Sequence, residues 1–338
     1  MENHLQQSES FNKLHISNAL TSCKLCHRLC QVNRLGGNVG FCGETAEIRG
    51  ARAALHFWEE PCISGKTGSG TVFFSGCSLK CVYCQNRSIA IGDKGKAISI
   101  TQLADTFLRL QEMEACNINL VTATHFVPQI VIALEQAKNH GLTIPVVYNT
   151  GTYDCVETIQ MLDGLVDIYL PDMKYHSSAL SQMYSNAPDY FPNACTAIAE
   201  MVRQVGMPVF VPMNASISES DFSVLSLSEQ SEHGLIKKGV IVRHLILPGH
   251  TKDSKEILKY LHETYGNKIF VSIMNQYTPL HELQNQTVYP NLSRTLTRRE
   301  YEKVLEYALS LSMEQVFIQE TGTAKESFIP PFDFEGLL

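Results

Sequence analysis

Thr71-Val72-Phe73-Phe74-Ser75-Gly76-Cys77-Ser78-Leu79-Lys80-Cys81-Val82-Tyr83-Cys84-Gln85-Asn86 reads as a strand running directly into a loop of three cysteines. Its first four residues are β-branched or aromatic, as a pleated, buried segment requires. Further runs of the same length follow: Ile118 to Val121, Ile144 to Tyr148, Val166 to Leu170, Val209 to Val211, Val240 to Leu247, Ile269 to Met274 and Val316 to Ile318. Between them, Ile100 to Ala115, Gln129 to His140, Asn193 to Val205, Ser254 to Tyr265 and Thr297 to Leu311 repeat apolar residues three and four apart, the period of an amphipathic helix. Strands alternating with helices predict an α/β fold with a parallel sheet. About eight repeats predict a complete or partial TIM-like (β/α) barrel, with an open doubly wound sheet as the alternative. In either form the chemistry is expected just beyond the C-terminal ends of the strands.

On the other side of the opening stretch the texture changes. Residues 1–20 are polar and aperiodic and read as a flexible lead-in, residues 21–65 as a Cys-rich metal-binding segment, and 66–338 as the core barrel with a C-terminal extension. The whole chain has 338 residues, 44% of them apolar, enough for a large core. Its net charge of -7 disfavours nucleic acid as a partner. The start at Met1-Glu2-Asn3-His4 has no basic stretch leading into an apolar run, and no apolar run approaches the roughly 20 residues that span a bilayer. A cytoplasmic protein with no membrane partner is therefore expected. Eleven cysteines, an odd number and clustered, point to metal ligation rather than a disulfide framework.

The loop spacing C-x3-C-x2-C at Cys77, Cys81 and Cys84 places three soft ligands within eight residues, with no fourth cysteine close by. Three thiolates bind three irons of a [4Fe-4S] cubane and leave the last iron open to an outside ligand. A zinc knuckle is the competing reading, although zinc ordinarily takes four protein ligands when structural. Gly76 gives the loop the backbone freedom to turn tightly.

This loop, with Tyr83 immediately before the last cysteine, resembles the signature of the radical S-adenosylmethionine (SAM) superfamily. The resemblance implies a cluster whose open iron chelates SAM, reductive cleavage of the sulfonium, and hydrogen abstraction by the resulting 5'-deoxyadenosyl radical. The stretches His56 to Gly65, Gly68 to Thr71, Leu120 to His125, Tyr148 to Thr150, Pro171 to Tyr175, Arg243 to Gly249 and Met274 to Tyr277 are further similar to the PflX group, which is related to the activating enzyme of pyruvate formate-lyase. The likeness covers nearly the whole chain from Cys23 onward. It implies a barrel of the radical SAM type, a one-electron donor such as flavodoxin or ferredoxin, and a glycyl-radical enzyme as protein substrate. The chain departs from the pattern at Thr122 to His125, which stand where a Gly-Gly-Glu-Pro motif often holds the SAM amino group.

Asp172 and Lys174 follow the fourth strand and resemble the Asp-x-Lys that contacts SAM in activating enzymes; a surface ion pair is the alternative. Asn149 and Thr150, after the third strand, fit hydrogen bonding to the ribose or methionine part of SAM, or a plain loop. His250 stands where the activating enzymes place a histidine near the adenosyl group, and a solvated loop histidine has the same sequence. Arg243 lies within a strand, suited to holding a carboxylate or to a buried ion pair. Cys23, Cys26, Cys30 and Cys42, spaced C-x2-C-x3-C-x11-C, fit structural zinc or a second, auxiliary iron-sulfur cluster. An auxiliary cluster would turn the expectation toward modification of a peptide or small metabolite. A non-catalytic iron-sulfur or zinc interaction protein is the alternative of another class.

Overall fold

The computed structural model describes residues 18–213, 226, 229–230, 232, 234–284, 287–319 and 329–337. Most of the lead-in expected at residues 1–20 lies outside the described residues.

Ten strands form the sheet: β1 (Ile48–His56), β2 (Ser69–Phe74), β3 (Lys96–Ile98), β4 (Ile118–Val121), β5 (Val146–Thr150), β6 (Ile168–Pro171), β7 (Val209–Pro212), β8 (Gly234–Leu245), β9 (Phe270–Met274) and β10 (Val316–Ile318). Seven of them run parallel in the order β2, β4, β5, β6, β8, β9, β10. Every residue of β2, β4, β5, β6 and β9 is buried, as strands covered on both faces are. The helices Ile100–Glu112, Val127–Asn139, Tyr190–Val205, Thr251–Tyr265 and Arg298–Ser310 stand between successive parallel strands. Local sequence sets where some of them begin. Ser99 accepts from the Gln102 amide while the Gln102 side chain accepts from the Ser99 amide, and Thr297 with Glu300 repeats the device.

The sheet curls without closing. Phe73 and Phe74 at the end of β2 and Phe317 and Ile318 of β10 line one cavity, yet β10 pairs with β9 and not with β2. The outer edge of β2 is taken by β1, which runs antiparallel to it from Gly50 opposite Phe74 to His56 opposite Ser69. A partial barrel results, and the complete barrel is excluded because the strand that would close it meets an occupied edge.

Two strands differ from the expectation. β1 arises inside the stretch read as Cys-rich, where Gly50, Ala51, Ala53 and Ala54 carry little β-propensity. It is held by partners instead: β2 on one side, β3 on the other for three residues, and the C-terminal tail, whose Phe334 amide donates to the Ala51 carbonyl at 3.0 Å. β7, read as a member of the parallel series, runs antiparallel onto the first half of β8. β8 has twelve residues and meets β6 only at Gly239 and Val240, so its first half extends past the parallel sheet and offers a free edge. Among the described residues no helix is long and apolar enough to cross a membrane.

Candidate active site

A cavity of about 430 Å³ opens at the C-terminal ends of the parallel strands. Among its lining residues are Cys77, Cys81, Tyr83 and Cys84 after β2, Thr122 and Thr124 after β4, Asn149 and Thr150 on β5, Asp172 and Lys174 after β6, Arg243 on β8, Ser272 and Met274 on β9, and Phe317 on β10. Side chains read singly from the sequence thus meet in one space. His250 is not among the lining residues; its Nε2 lies 2.8 Å from the Tyr184 hydroxyl, outside the cavity wall.

The cysteine loop is anchored from three directions. Gly76 adopts φ +84°, and its amide donates to the Ile89 carbonyl at 2.8 Å. The Val82 amide donates to the Tyr184 carbonyl at 2.9 Å. His125, three residues beyond a left-handed Thr122, turns away from the cavity, and its Nε2 meets the Ser75 carbonyl at 2.6 Å. The segment standing in place of Gly-Gly-Glu-Pro therefore braces the loop through His125.

The three thiols interact electrostatically. Burial, then Cys81 nearby, pushes the Cys77 thiol up; burial, then Cys81 and Cys77, pushes the Cys84 thiol up to about 12. The Lys174 ammonium works against both shifts. Three thiolates in so small a space repel one another unless a cationic centre joins them. A single zinc draws its thiolates to about 2.3 Å from one centre, whereas a cubane takes each thiolate on a different iron. Three cysteines of one loop, with no fourth among the described lining residues, suit a cubane with one open iron.

Opposite them runs a chain of charges. The Arg243 guanidinium donates through Nε to Asp172 Oδ1 at 3.0 Å, through Nη1 to Glu59 Oε2 at 3.0 Å and through Nη2 to Asn149 Oδ1 at 2.6 Å. Lys174 Nζ donates to the other Asp172 oxygen at 2.6 Å. Burial raises the Asp172 carboxyl, but Lys174 and Arg243 outweigh it and hold the group below the usual carboxylate range. Arg243 therefore holds two carboxylates of its own chain, and Asn149 is one of its partners. Thr150 Oγ1 donates to buried Asp154 at 2.7 Å. Glu59 was not singled out in the sequence, where it lay within the stretch His56 to Gly65; it is joined to Arg243 across 184 residues.

The four N-terminal cysteines dock beside this site. Burial raises the Cys26 thiol, with Cys42, Cys23 and Cys30 adding like charge, so the four are near neighbours. The Phe41 amide donates to Cys30 Sγ at 3.4 Å. Their segment is bound to the loop after β5 by the His27 amide on the Tyr153 carbonyl at 3.1 Å, and to the helix Val156–Gln160 by Thr158 Oγ1 on the Leu25 carbonyl at 2.8 Å. Arg34, buried, donates to the Glu44, Thr45 and His125 carbonyls. Cys62 is buried elsewhere, among Ile63, Val147, Ile168 and Phe210.

No family model matches the chain. It is 28% identical over 309 residues to the uncharacterized protein MJ0674 of Methanocaldococcus jannaschii, spanning 89% of this chain and 78% of that one. Among solved structures, SuiB of Streptococcus suis bound to S-adenosylmethionine is similar with a TM-score of 0.44 and 14% identity, over 73% of this chain and 48% of SuiB. A domain of pyruvate-formate lyase-activating enzyme from Bacteroides vulgatus gives a TM-score of 0.34 and 11% identity, over 57% of this chain and 91% of that one. The chain spans about half the length of SuiB.

Acid should weaken the fold through its buried histidines. Burial, with Arg34 beside it, lowers the His125 imidazole to about 3, and burial lowers His244 as well, whose Nδ1 faces the Met173 carbonyl at 2.7 Å. Because the folded pKa of His125 lies below the ordinary 6.5, only the unfolded chain takes up its proton between those values. Stability from this group is full above about pH 6.5 and falls by up to about 1.4 kcal/mol per pH unit as pH drops toward 3. Buried Glu44 and Asp154, raised by burial, act in the opposite sense, so the comparison to make is between proteins. Urea denaturation at pH 7, 6 and 5 should show a shallower loss for His125→Gln than for the wild type.

Proposed function

We propose that the protein is a radical SAM enzyme, and that its substrate is the glycyl-radical site of a partner enzyme, approached in the cytoplasm and supplied by a one-electron donor such as flavodoxin or ferredoxin. The observation carrying this reading is that three cysteines of one loop, with no fourth among the described lining residues, share a cavity with Asp172 and Lys174 at the mouth of a partial barrel. When bound there, a [4Fe-4S] cluster and SAM supply the electron and the 5'-deoxyadenosyl radical for hydrogen abstraction.

The chain's own residues do the rest. Cys77, Cys81 and Cys84 furnish the thiolates, and Lys174 offsets their charge. Asp172, kept ionised by Arg243 and Lys174, is a fixed acceptor for a cationic or hydroxyl-bearing ligand. Phe73, Ile89, Val121, Leu245 and Phe317 supply apolar wall, which holds an adenine and keeps water from a reactive carbon. Cys23, Cys26, Cys30 and Cys42 hold structural zinc in this reading. A second reading, peptide or metabolite modification with an auxiliary cluster there, is favoured by one contact: the Cys42 carbonyl lies 3.0 Å from where a Cβ on Gly76 would stand, so the two cysteine sets adjoin.

Protein reconstituted anaerobically with iron and sulfide, then given dithionite and SAM, should release 5'-deoxyadenosine. The Cys77→Ala/Cys81→Ala/Cys84→Ala variant should lose about four irons per chain and fall to the protein-free background. About four irons in the wild type supports zinc at the N-terminal set, and about eight supports the auxiliary cluster. Unchanged iron in the triple variant, or no 5'-deoxyadenosine from a wild type with a spectroscopically intact cluster, overturns the proposal and leaves a non-catalytic metal protein.

A further inference from the structure

Among the described residues, Cys81 differs from its two companions in having a side-chain hydrogen-bond donor. Ser185 Oγ lies 2.9 Å from Cys81 Sγ and donates to it from the last residue of the helix Ser178–Ser185, 104 residues away in the chain. The serine hydroxyl is 2.7 Å from that of Tyr175, which is 2.8 Å from that of Tyr83. All four residues are buried. Each hydroxyl has a single proton, and a sulfur bound to a metal only accepts. The Tyr175 hydroxyl donates to that of Tyr83, so its one proton is committed there, and the Ser185 hydroxyl donates to Cys81.

The helix end is held for this purpose from a third part of the chain. Arg28, between Cys26 and Cys30, donates through Nε to the Ser78 carbonyl at 2.8 Å and through Nη2 to the Ser185 carbonyl at 2.7 Å, with Nη1 on the Asn186 carbonyl. The same guanidinium lies 3.8 Å from the Phe41 ring centroid. One side chain thus ties the cysteine loop to the helix that bears Ser185, and the Val82 amide on the Tyr184 carbonyl adds a second tie.

We propose that Ser185 is a positioning residue that sets the reduction potential of the cluster through Cys81, with Arg28 fixing its distance. The inference rests on the proposed cluster. Reduction adds one negative charge, shared by the sulfurs, and a buried donor to one of them stabilises the reduced form more than the oxidised form. Such a hydrogen bond is stronger in a low-dielectric interior than in water.

The test is a potentiometric titration of the reconstituted full-length protein, followed by electron paramagnetic resonance. Ser185→Ala should lower the midpoint by about 59 mV, a tenfold fall in the reduced-to-oxidised ratio at a set potential. Ser185→Thr, which keeps the hydroxyl donor, should stay near the wild-type midpoint, which guards against a shift caused by a packing defect. A midpoint that is unchanged or raised in Ser185→Ala with normal iron content overturns the inference while leaving the cluster standing. Absence of any cluster from the wild type overturns the functional reading itself.

Discussion

Arg243→Met should cost about 3–5 kcal/mol of folding stability, the usual penalty for removing one partner of a buried ion pair. The guanidinium is 14% exposed and is bound to Glu59 at 9% and Asp172 at 18%. Asp172 keeps Lys174 as a second cation at 2.6 Å, so the stranded charge is that of Glu59, whose other oxygen accepts from the neutral Asn119 and Asn149 amides. Glu60 next to it is already raised by burial, which leaves little room for an unmatched neighbour. Urea denaturation measures the loss. Glu59→Gln combined with Arg243→Met should recover part of it, because a neutral amide needs no counter-charge. Equal losses for the single and double variants would show that Arg243 acts through its contact with Asp172 alone.

Gly76→Val should destabilise the fold by about 2–4 kcal/mol, combining the left-handed backbone penalty with overpacking. The position has φ +84°, and a Cβ there would press into Glu44 Cγ and stand 3.0 Å from the Cys42 carbonyl. Glu44 is 1% exposed and ion-paired with Arg49 at 3.2 Å, so it has no easy retreat. Gly37 provides the control: φ is +82°, with nothing within 4 Å of an added Cβ. Gly37→Ala should show the backbone penalty alone, and the difference between Gly76→Ala and Gly37→Ala measures the clash. Iron retained after brief exposure to a chelator should fall in the Gly76 variants and stay at the wild-type level in Gly37→Ala. Equal retention in both would mean that the loop holds its shape without that contact.

The parts of the site legible in the sequence are those whose geometry is local. Cys77, Cys81 and Cys84 lie on one loop, and Asp172 and Lys174 are two residues apart, so spacing alone brings their side chains together. Asn149 and Thr150 follow from the same logic, since they end a strand whose direction the fold class predicts. Arg28, Glu59 and Ser185 show the opposite case. Each reaches its partner over tens of residues or more, and an arginine, a glutamate and a serine in loops or at a helix end look like surface residues until the chain is folded.

By itself, the sequence determined the alternation of buried strands and amphipathic helices, the strand that feeds the cysteine loop, and the grouping of seven cysteines into two sets. These depend on side-chain period and spacing, which are properties of neighbouring residues. Only the tertiary structure decided that the sheet stays open, that β7 lies antiparallel on β8, and that Ile48–His56 is a strand at all. A strand's direction and partner depend on which edge is free when it arrives, and that edge is made by residues far away in the chain. For the same reason Arg243 is turned inward onto Asp172 and Glu59, and Cys81 accepts a hydrogen bond from Ser185.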